Sequence, residues 1–213
     1  KKFCYTKYNS SSNLWYFNYD EKKKLFKSKK LTEGTSIFEM PVISPDGKGI
    51  AYVNKGNISK MSINGDSIKQ LTFSNSYCSS PSWSPNGKEI AFLSESRLFK
   101  VSSEGGTPSL ITDYDVGGTA YWVTDAQIYY HKLGNRNFYI YNLVTKEKKL
   151  LVQNDSVGWM FNPQLSPDSL KLAVQWTRKI DDNLTTGVWL ISLKDSSQKL
   201  LLKDFIFPLE WSK

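Results

Sequence analysis

Apolar and polar positions alternate along this chain in short runs, each broken by a turn before a helix could form. Lys2-Phe-Cys-Tyr-Thr-Lys-Tyr8 and Leu14-Trp-Tyr-Phe-Asn18 carry the period-two pattern of strands, with a polar loop at 9–13 between them. The clearest pattern is a hairpin written several times. Pro41-Val-Ile-Ser-Pro-Asp-Gly-Lys-Gly-Ile-Ala-Tyr-Val53 returns as Pro81-Ser-Trp-Ser-Pro-Asn-Gly-Lys-Glu-Ile-Ala-Phe-Leu93 and as Pro163-Gln-Leu-Ser-Pro-Asp-Ser-Leu-Lys-Leu-Ala-Val174. A degenerate copy, Ala120-Tyr-Trp-Val-Thr-Asp-Ala-Gln-Ile-Tyr-Tyr130, lacks the Pro and Gly, and Pro208-Leu-Glu-Trp-Ser-Lys213 starts another. In each full copy Pro presets φ and Asp or Asn bonds its own backbone, and in the first two Gly accepts positive φ where the third has Ser169, so one strand turns into the next.

Ser44, Ser84, Val123, Ser166 and Ser212 mark equivalent points, at intervals of 40, 39, 43 and 46 residues. A period of this length made of short strands predicts propeller blades. The rest of each period fits two further strands. In the second unit these are Asn57-Ile-Ser-Lys-Met-Ser-Ile63 and Ser67-Ile-Lys-Gln-Leu-Thr72, joined at Asn64-Gly65. Units three, four and five repeat the order, so each supplies strands a, b, c and d, and no helix or interdomain linker is expected.

The motif Ser-Pro-Asp-Gly-Lys-x-Ile-Ala-Tyr/Phe, followed by a strand such as Leu98-Phe-Lys-Val101, resembles the WD-repeat-like blade of TolB-type β-propellers. A similar blade occurs in the propellers of tricorn-like and prolyl-oligopeptidase-like peptidases. The expected fold is all-β, a propeller of four-stranded antiparallel blades in a single domain spanning 1–213. The blades are about 207–213 plus 1–34, 35–74, 75–113, 114–154 and 155–206. Strand a of the first blade is expected at the C-terminus, from Phe207 to Ser212, which would close a ring of five. The alternative is an arc of a six- to eight-bladed propeller, and the first residues look like a mature or excised segment.

Alternation of strand direction sorts the connections. The a–b and c–d turns share one end of the strands, and the b–c and d–a loops share the other. The first end is short and regular. The second collects irregular, aromatic-bearing segments and also the long b–c loop at 177–186. Loops of that kind on a rigid scaffold commonly bind partners. The expected partner-binding residues are Phe38, Tyr77, Trp159, Met160, Phe161, Arg178, Phe205 and Phe207. The plainer reading is that these side chains fill gaps between blades.

Composition alters this picture little. Of 213 residues, 39% are hydrophobic and 14% aromatic, enough for a sizeable core of short strands. No apolar run is long enough for a transmembrane helix. A net charge of +8 favours acidic partners without naming one. Lys22, Lys23, Lys24, Lys27, Lys29 and Lys30 form a basic strip, read either as a phosphate-binding surface or as an outer strand whose lysines block edge pairing. It holds no Arg for bidentate base reading, and nucleic acid is not the expected partner.

Candidate chemistry is sparse. The one histidine, His131, ends a b strand, and no Gly-x-Ser-x-Gly elbow accompanies it. Cys4 and Cys78 match no metal spacing and read as separate thiols or a disulfide, while Asp181-Asp182 reads as solvated loop charge. No phosphate-cradling glycine motif occurs. No catalytic residue, metal or cofactor is expected, and the TolB-type resemblance implies none. The expected function is a non-catalytic protein- or peptide-binding sensor or scaffold, monomeric as an isolated domain. The alternatives are the substrate-gating propeller of a peptidase and a carbohydrate or anionic-ligand binder. The resemblance implies a periplasmic, cell-surface or otherwise exported location.

Overall fold

The structure is a computed structural model. It describes residues 2–8, 12–20, 22–112, 115–154, 158–166, 168 and 170–204. Among these, the regular structure is entirely β. The strands are β1 (Lys2–Tyr8), β2 (Ser12–Asp20) and β3 (Leu25–Lys30), then β4 (Phe38–Ile43), β5 (Gly49–Asn54), β6 (Asn57–Ser62) and β7 (Lys69–Gln70). There follow β8 (Cys78–Trp83), β9 (Glu89–Ser94), β10 (Arg97–Ser102) and β11 (Ser109–Thr112), then β12 (Val116–Thr124), β13 (Gln127–Lys132), β14 (Phe138–Asn142) and β15 (Lys148–Val152). The last are β16 (Met160–Leu165), β17 (Lys171–Ile180), β18 (Asn183–Ser192) and β19 (Gln198–Lys203).

Strand orders are β1-β2-β3, β4-β5-β6-β7, β11-β10-β9-β8, β12-β13-β14-β15 and β16-β17-β18-β19. Each sheet is a meander in chain order, as the repeated hairpins require. The first sheet has three described strands, and the segment expected to supply its fourth, 207–212, lies outside the described residues. The chain forms two compact units, Lys1–Asp125 and Ala126–Lys213.

Strand b explains how the sheets of the first unit stack. Ile50 and Tyr52 of β5 point into a cluster with Leu14, Leu31, Phe38 and Met61. The alternate residues, Ala51 and Val53, point the other way, to Ile58, Cys78, Ile90 and Phe92. A strand buried on both faces needs a continuous apolar run, and Ile-Ala-Tyr-Val supplies it. The outer strand β3 is exposed along its whole length. Indoles tie neighbouring sheets together at strand a. Trp83 Nε1 donates to the Val42 carbonyl at 3.1 Å, and Trp122 Nε1 repeats the bond to Ser82 at 3.0 Å.

The a–b turn owes as much to its serine as to Pro, Asp and Gly. Ser44 Oγ donates to Asp46 Oδ1 at 2.6 Å and accepts the Gly49 N–H at 2.8 Å, while Asp46 Oδ1 accepts the Lys48 N–H at 3.0 Å. Ser84 and Asn86 repeat this arrangement, as do Ser166 and Asp168. Gly47 and Gly87 sit at φ 69° and 71°, where a side chain would be strained.

The segment at 177–186, expected to be a long irregular loop, is instead the ordered end of the β17–β18 hairpin, paired from Thr177↔Thr186 to Ile180↔Asn183. Asp181 and Asp182 both adopt positive φ, 46° and 64°. Two such residues build the turn whose twist matches a hairpin, and Asp tolerates that backbone better than most side chains.

The Ser44 hydroxyl and the Lys48 amide hold the Asp46 carboxyl below its ordinary value, and Ser166 and Leu170 do the same for Asp168. Hydrogen bonds from Ser192 and Ser197 bring Asp195 down to about 2. Groups with depressed folded pKa values add stability that is complete above the ordinary carboxylate range and is lost as pH falls through the folded values. The melting temperature should therefore drop as pH is lowered from about 4 to 2. Asp46→Asn, which copies Asn86, should make that drop shallower. Ser44→Ala leaves the Gly49 amide without its acceptor and should cost about 1–3 kcal/mol in urea unfolding at neutral pH. A Ser44→Ala protein as stable as the parent would show that the turn does not depend on this hydroxyl.

Candidate functional site

Strand a carries the same irregularity in three sheets. Its pairing with strand b shifts register between Glu39 and Val42, between Ser79 and Ser82, and between Phe161 and Gln164. Pro41, Pro81 and Pro163 lie inside those gaps. A proline has no N–H for the ladder, so the strand bulges there and re-aims the residues beside it. Met40 and Ser80, one residue before their prolines, both take positive φ, 49° and 53°.

In the first unit the bulges bring the starts of β4 and β8 together. The Ser80 N–H points at Met40 Sδ, 3.2 Å away, and Tyr77 Oη donates to Glu39 Oε2 at 2.7 Å. The Tyr77 ring lies so close to Gly56 that a Cβ there would meet Cδ2 at 3.2 Å. Ile37, Met40, Phe73 and Tyr77 are all exposed at this d–a end, by 44–82%. Phe38 is different. Its backbone exchanges hydrogen bonds with Ser12 Oγ at 2.7 and 2.9 Å, and its ring packs 5.8 Å from that of Tyr52 inside the core. Strand alternation puts Phe38 inward and its neighbours outward, so it presents no surface in this structure.

The second unit has its own aromatic group. The Trp159 ring stands edge-on to His131 at 5.8 Å and carries the Arg136 guanidinium 5.0 Å from its centroid. Gly158 makes that position possible, since a Cβ there would lie 2.5 Å from the Thr177 carbonyl oxygen. The Asn154 side chain holds the same backbone, donating to the carbonyls of Gly158 at 2.7 Å and Arg136 at 3.2 Å. Phe161 is 42% exposed, but Met160 is buried beneath it, opposite Trp176. Arg178 lies 4.3 Å from the Trp176 ring centroid and 5.2 Å from that of Trp189, and it donates to Gln198 Oε1.

Of the expected partner-binding set, Tyr77 and Phe161 are exposed, and Trp159 is half-buried at the loop end. Arg178 spends its guanidinium on tryptophans of its own sheet, while Phe38 and Met160 belong to the core. Phe205 and Phe207 lie outside the described residues. Ile37, Glu39, Met40, Phe73 and Arg136 were not singled out. A period-two reading of Ile37-Phe-Glu-Met40 separates inward Phe38 from its neighbours, but the bulge that exposes Met40 follows from Pro41, which lies before the Ser44-Pro-Asp-Gly47 turn and is given no role by that motif.

Two further concavities are formed by described residues of the first unit. A cleft of 590 Å³ opens among the a–b turns beside Asp46, Trp83 and Asn86, and the Lys60–Glu104 ion pair, 2.8 Å long, stands on its lining. An apolar cleft of 390 Å³ is formed by Phe73, Cys78, Phe92, Phe99 and Pro108. Cys78 is a buried free thiol. Among the described residues no group of three His, Cys, Asp or Glu side chains could hold a metal ion. Among the described residues no helix is long and apolar enough to cross a membrane.

His131 is 2% exposed, and its Nε2 lacks a hydrogen-bond partner. Burial lowers its pKa from 6.5 to about 4. Unfolding releases it to take up a proton near its ordinary pKa, so stability is complete above that value and falls as pH drops toward the folded one. This contribution should cost the second unit about 3 kcal/mol between pH 7 and 4, and His131→Phe should abolish it. Urea titrations across that range give the slope. An imidazole titrating near its ordinary value by NMR would contradict the burial argument.

No protein-family model matches the chain, and no curated protein sequence matches it. Solved structures do. A protein designated TolB from Agrobacterium tumefaciens aligns with a TM-score of 0.64 and 21% identity, over 82% of this chain and 65% of its own. TolB from Acinetobacter baumannii aligns with a TM-score of 0.71 and 18% identity, over 92% of this chain and 50% of its own. The C-terminal WD40 domain of Sif2 gives 0.60 at 14% identity, over 93% and 69%. This chain thus spans less than two thirds of either TolB chain. At such identities the likeness speaks for the fold, in agreement with the repeated Ser-Pro-Asp/Asn-Gly hairpins and the meandering sheets. The chain has the fold of a TolB-type, WD-repeat-like β-propeller.

Proposed function

We propose that this chain is a non-catalytic binding propeller whose partner is another protein or peptide, engaged at the d–a end of its strands. The observation that carries the reading is the exposed set Ile37, Met40, Phe73 and Tyr77, gathered at one end of the first unit. Neighbouring apolar side chains left open at the same end of adjacent sheets mark interaction surfaces more often than scattered single residues do. Trp159 and Phe161 give the second unit a surface of the same chemistry at the equivalent connection. Tyr and Trp with a nearby Arg are the side chains that most often dominate interface energy.

The buried, proton-poor His131 is a poor general base at a surface it does not reach, which supports a non-enzymatic role. A sensor or scaffold function in an exported, periplasmic or cell-surface protein accords with this reading, with the isolated domain monomeric.

Panning a peptide phage library on the immobilised chain should select ligands with exposed-apolar or acidic character. Tyr77→Ala or Met40→Ala should weaken them about thirtyfold or more if these are hot spots, as should Trp159→Ala for ligands of the second unit. Val144→Ala, on an exposed c–d turn at the opposite end, should change nothing. Ligands that respond to Val144 and ignore Tyr77 and Trp159 would place the binding surface at the wrong end. The purified chain should hydrolyse neither peptide nor polysaccharide substrates, and turnover that vanishes on His131→Ala would overturn the non-catalytic reading.

A further inference from the structure

The basic strip of the first sheet is the tip of a hairpin that is longer than its counterpart in the second sheet. The Leu14 and Ile58 amides each donate to a threonine hydroxyl, Thr32 and Thr72, both at 2.9 Å, so the two positions are equivalent. From there the second sheet reaches its turn at Ser62, whose N–H donates to the Asp66 carbonyl. The first sheet keeps pairing past the equivalent Asn18, through Tyr19↔Phe26 and Asp20↔Leu25. Two extra residue pairs extend the hairpin by about 7 Å.

That tip is both apolar and basic. Leu25 and Phe26 are 58% and 63% exposed. Phe26 rests on Tyr19 with ring centroids 4.7 Å apart and meets Phe17 edge-on at 6.3 Å, forming a small aromatic face. Lys22, Lys23, Lys24, Lys27 and Lys30, all exposed, lie on the same turn and outer strand. Asp20 has one carboxylate oxygen accepting the Lys22 and Lys23 amides at 3.1 and 3.2 Å, which holds the turn in shape.

We propose that this hairpin docks on an anionic lipid bilayer, with the Phe17–Tyr19–Phe26 face at headgroup depth and the lysines on the lipid phosphates. Aromatic rings with flanking lysines are the chemistry of the membrane–water interface, and a cluster of lysines is attracted to an anionic leaflet. Single-stranded nucleic acid fits less well. Tyr19 and Phe26 cover each other instead of offering open ring faces for bases, and an exposed Leu25 adds nothing to base stacking. The surface lies on a c–d turn, apart from the end proposed for a protein partner, and does not rest on that reading.

The test is flotation of the whole chain with vesicles of phosphatidylcholine containing about one third phosphatidylglycerol, against pure phosphatidylcholine vesicles. The chain should float with the mixed vesicles only, less so as salt is raised. Lys22→Gln/Lys23→Gln/Lys24→Gln and Leu25→Ser/Phe26→Ser should each reduce binding tenfold or more while leaving the melting temperature unchanged. Absence of flotation would overturn the proposal. So would vesicle binding that Leu25→Ser/Phe26→Ser leaves intact, since the attachment would then be charge alone. Displacement of the vesicles by a single-stranded oligonucleotide would reassign the strip to nucleic acid. A large fall in melting temperature for Leu25→Ser/Phe26→Ser would show that the aromatic face packs within the protein instead.

Discussion

Everything in the first unit depends on strand b being buried on both of its faces. Ile50 and Tyr52 face one neighbouring sheet while Ala51 and Val53 face the other, so no sheet completes its core alone. Stability is therefore a property of stacked sheets, as in repeat proteins generally. The indole bonds from Trp83 to Val42 and from Trp122 to Ser82 fix how far one sheet sits along the next. The same dependence explains the gradient from buried b strands such as β5 and β9 to lysine-bearing outer strands such as β3 and β7. Those lysines are partly structural: Lys29 Nζ donates to the Asn64 carbonyl of the next sheet at 2.8 Å, and Lys69 Nζ repeats the bond to the Glu104 carbonyl.

The fold was legible because a hairpin written repeatedly is hard to mistake. The Ser-Pro-Asp/Asn-Gly turn combines fixed φ, a side-chain acceptor and a residue tolerant of positive φ, and few other local structures want all three. What the pattern did not convey was the serine's part. A hydroxyl that accepts one backbone amide and donates to a carboxylate looks, in sequence, like any polar turn residue. The segment at 177–186 misled for a related reason. Its Thr, Lys and Asp residues are polar enough for a loop, yet two successive Asp residues with positive φ let the strands run on and turn tightly.

The candidate site was legible in position and blurred in membership. Alternation of strand direction identifies the end where the longer connections gather, and Phe73, Tyr77 and Phe161 are exposed there, whereas Phe26 is exposed at the other end. Individual residues depend on a finer signal, the phase of the period-two pattern at the start of strand a. Phe38 and Met160 fall on the inward phase and are buried, whereas Ile37 and Phe161, each one residue away, are open. Proline bulges then break the phase, which is why Met40 turns outward with a strained backbone. The Gly158 approach to the Thr177 carbonyl is a tertiary fact, and the sequence near Trp159 holds no local mark of it.

The exposed aromatics are not equivalent as binding groups, and the difference is one of preorganisation. Phe73 is 82% exposed, so most of its ring can be ordered only by a partner, and that ordering would offset part of what burial contributes. Tyr77 is already held by its hydroxyl on Glu39 and by its ring against Gly56. Trp159 is held between the Arg136 guanidinium and the edge of His131, over a glycine that admits it. A ring fixed before binding loses little freedom on contact, so less of what its burial contributes is offset. The polar neighbours Glu39 and Arg136 thus stabilise a geometry more than they advertise a charge. For the proposed partner surface, that rigidity is the physical property that most favours recognition.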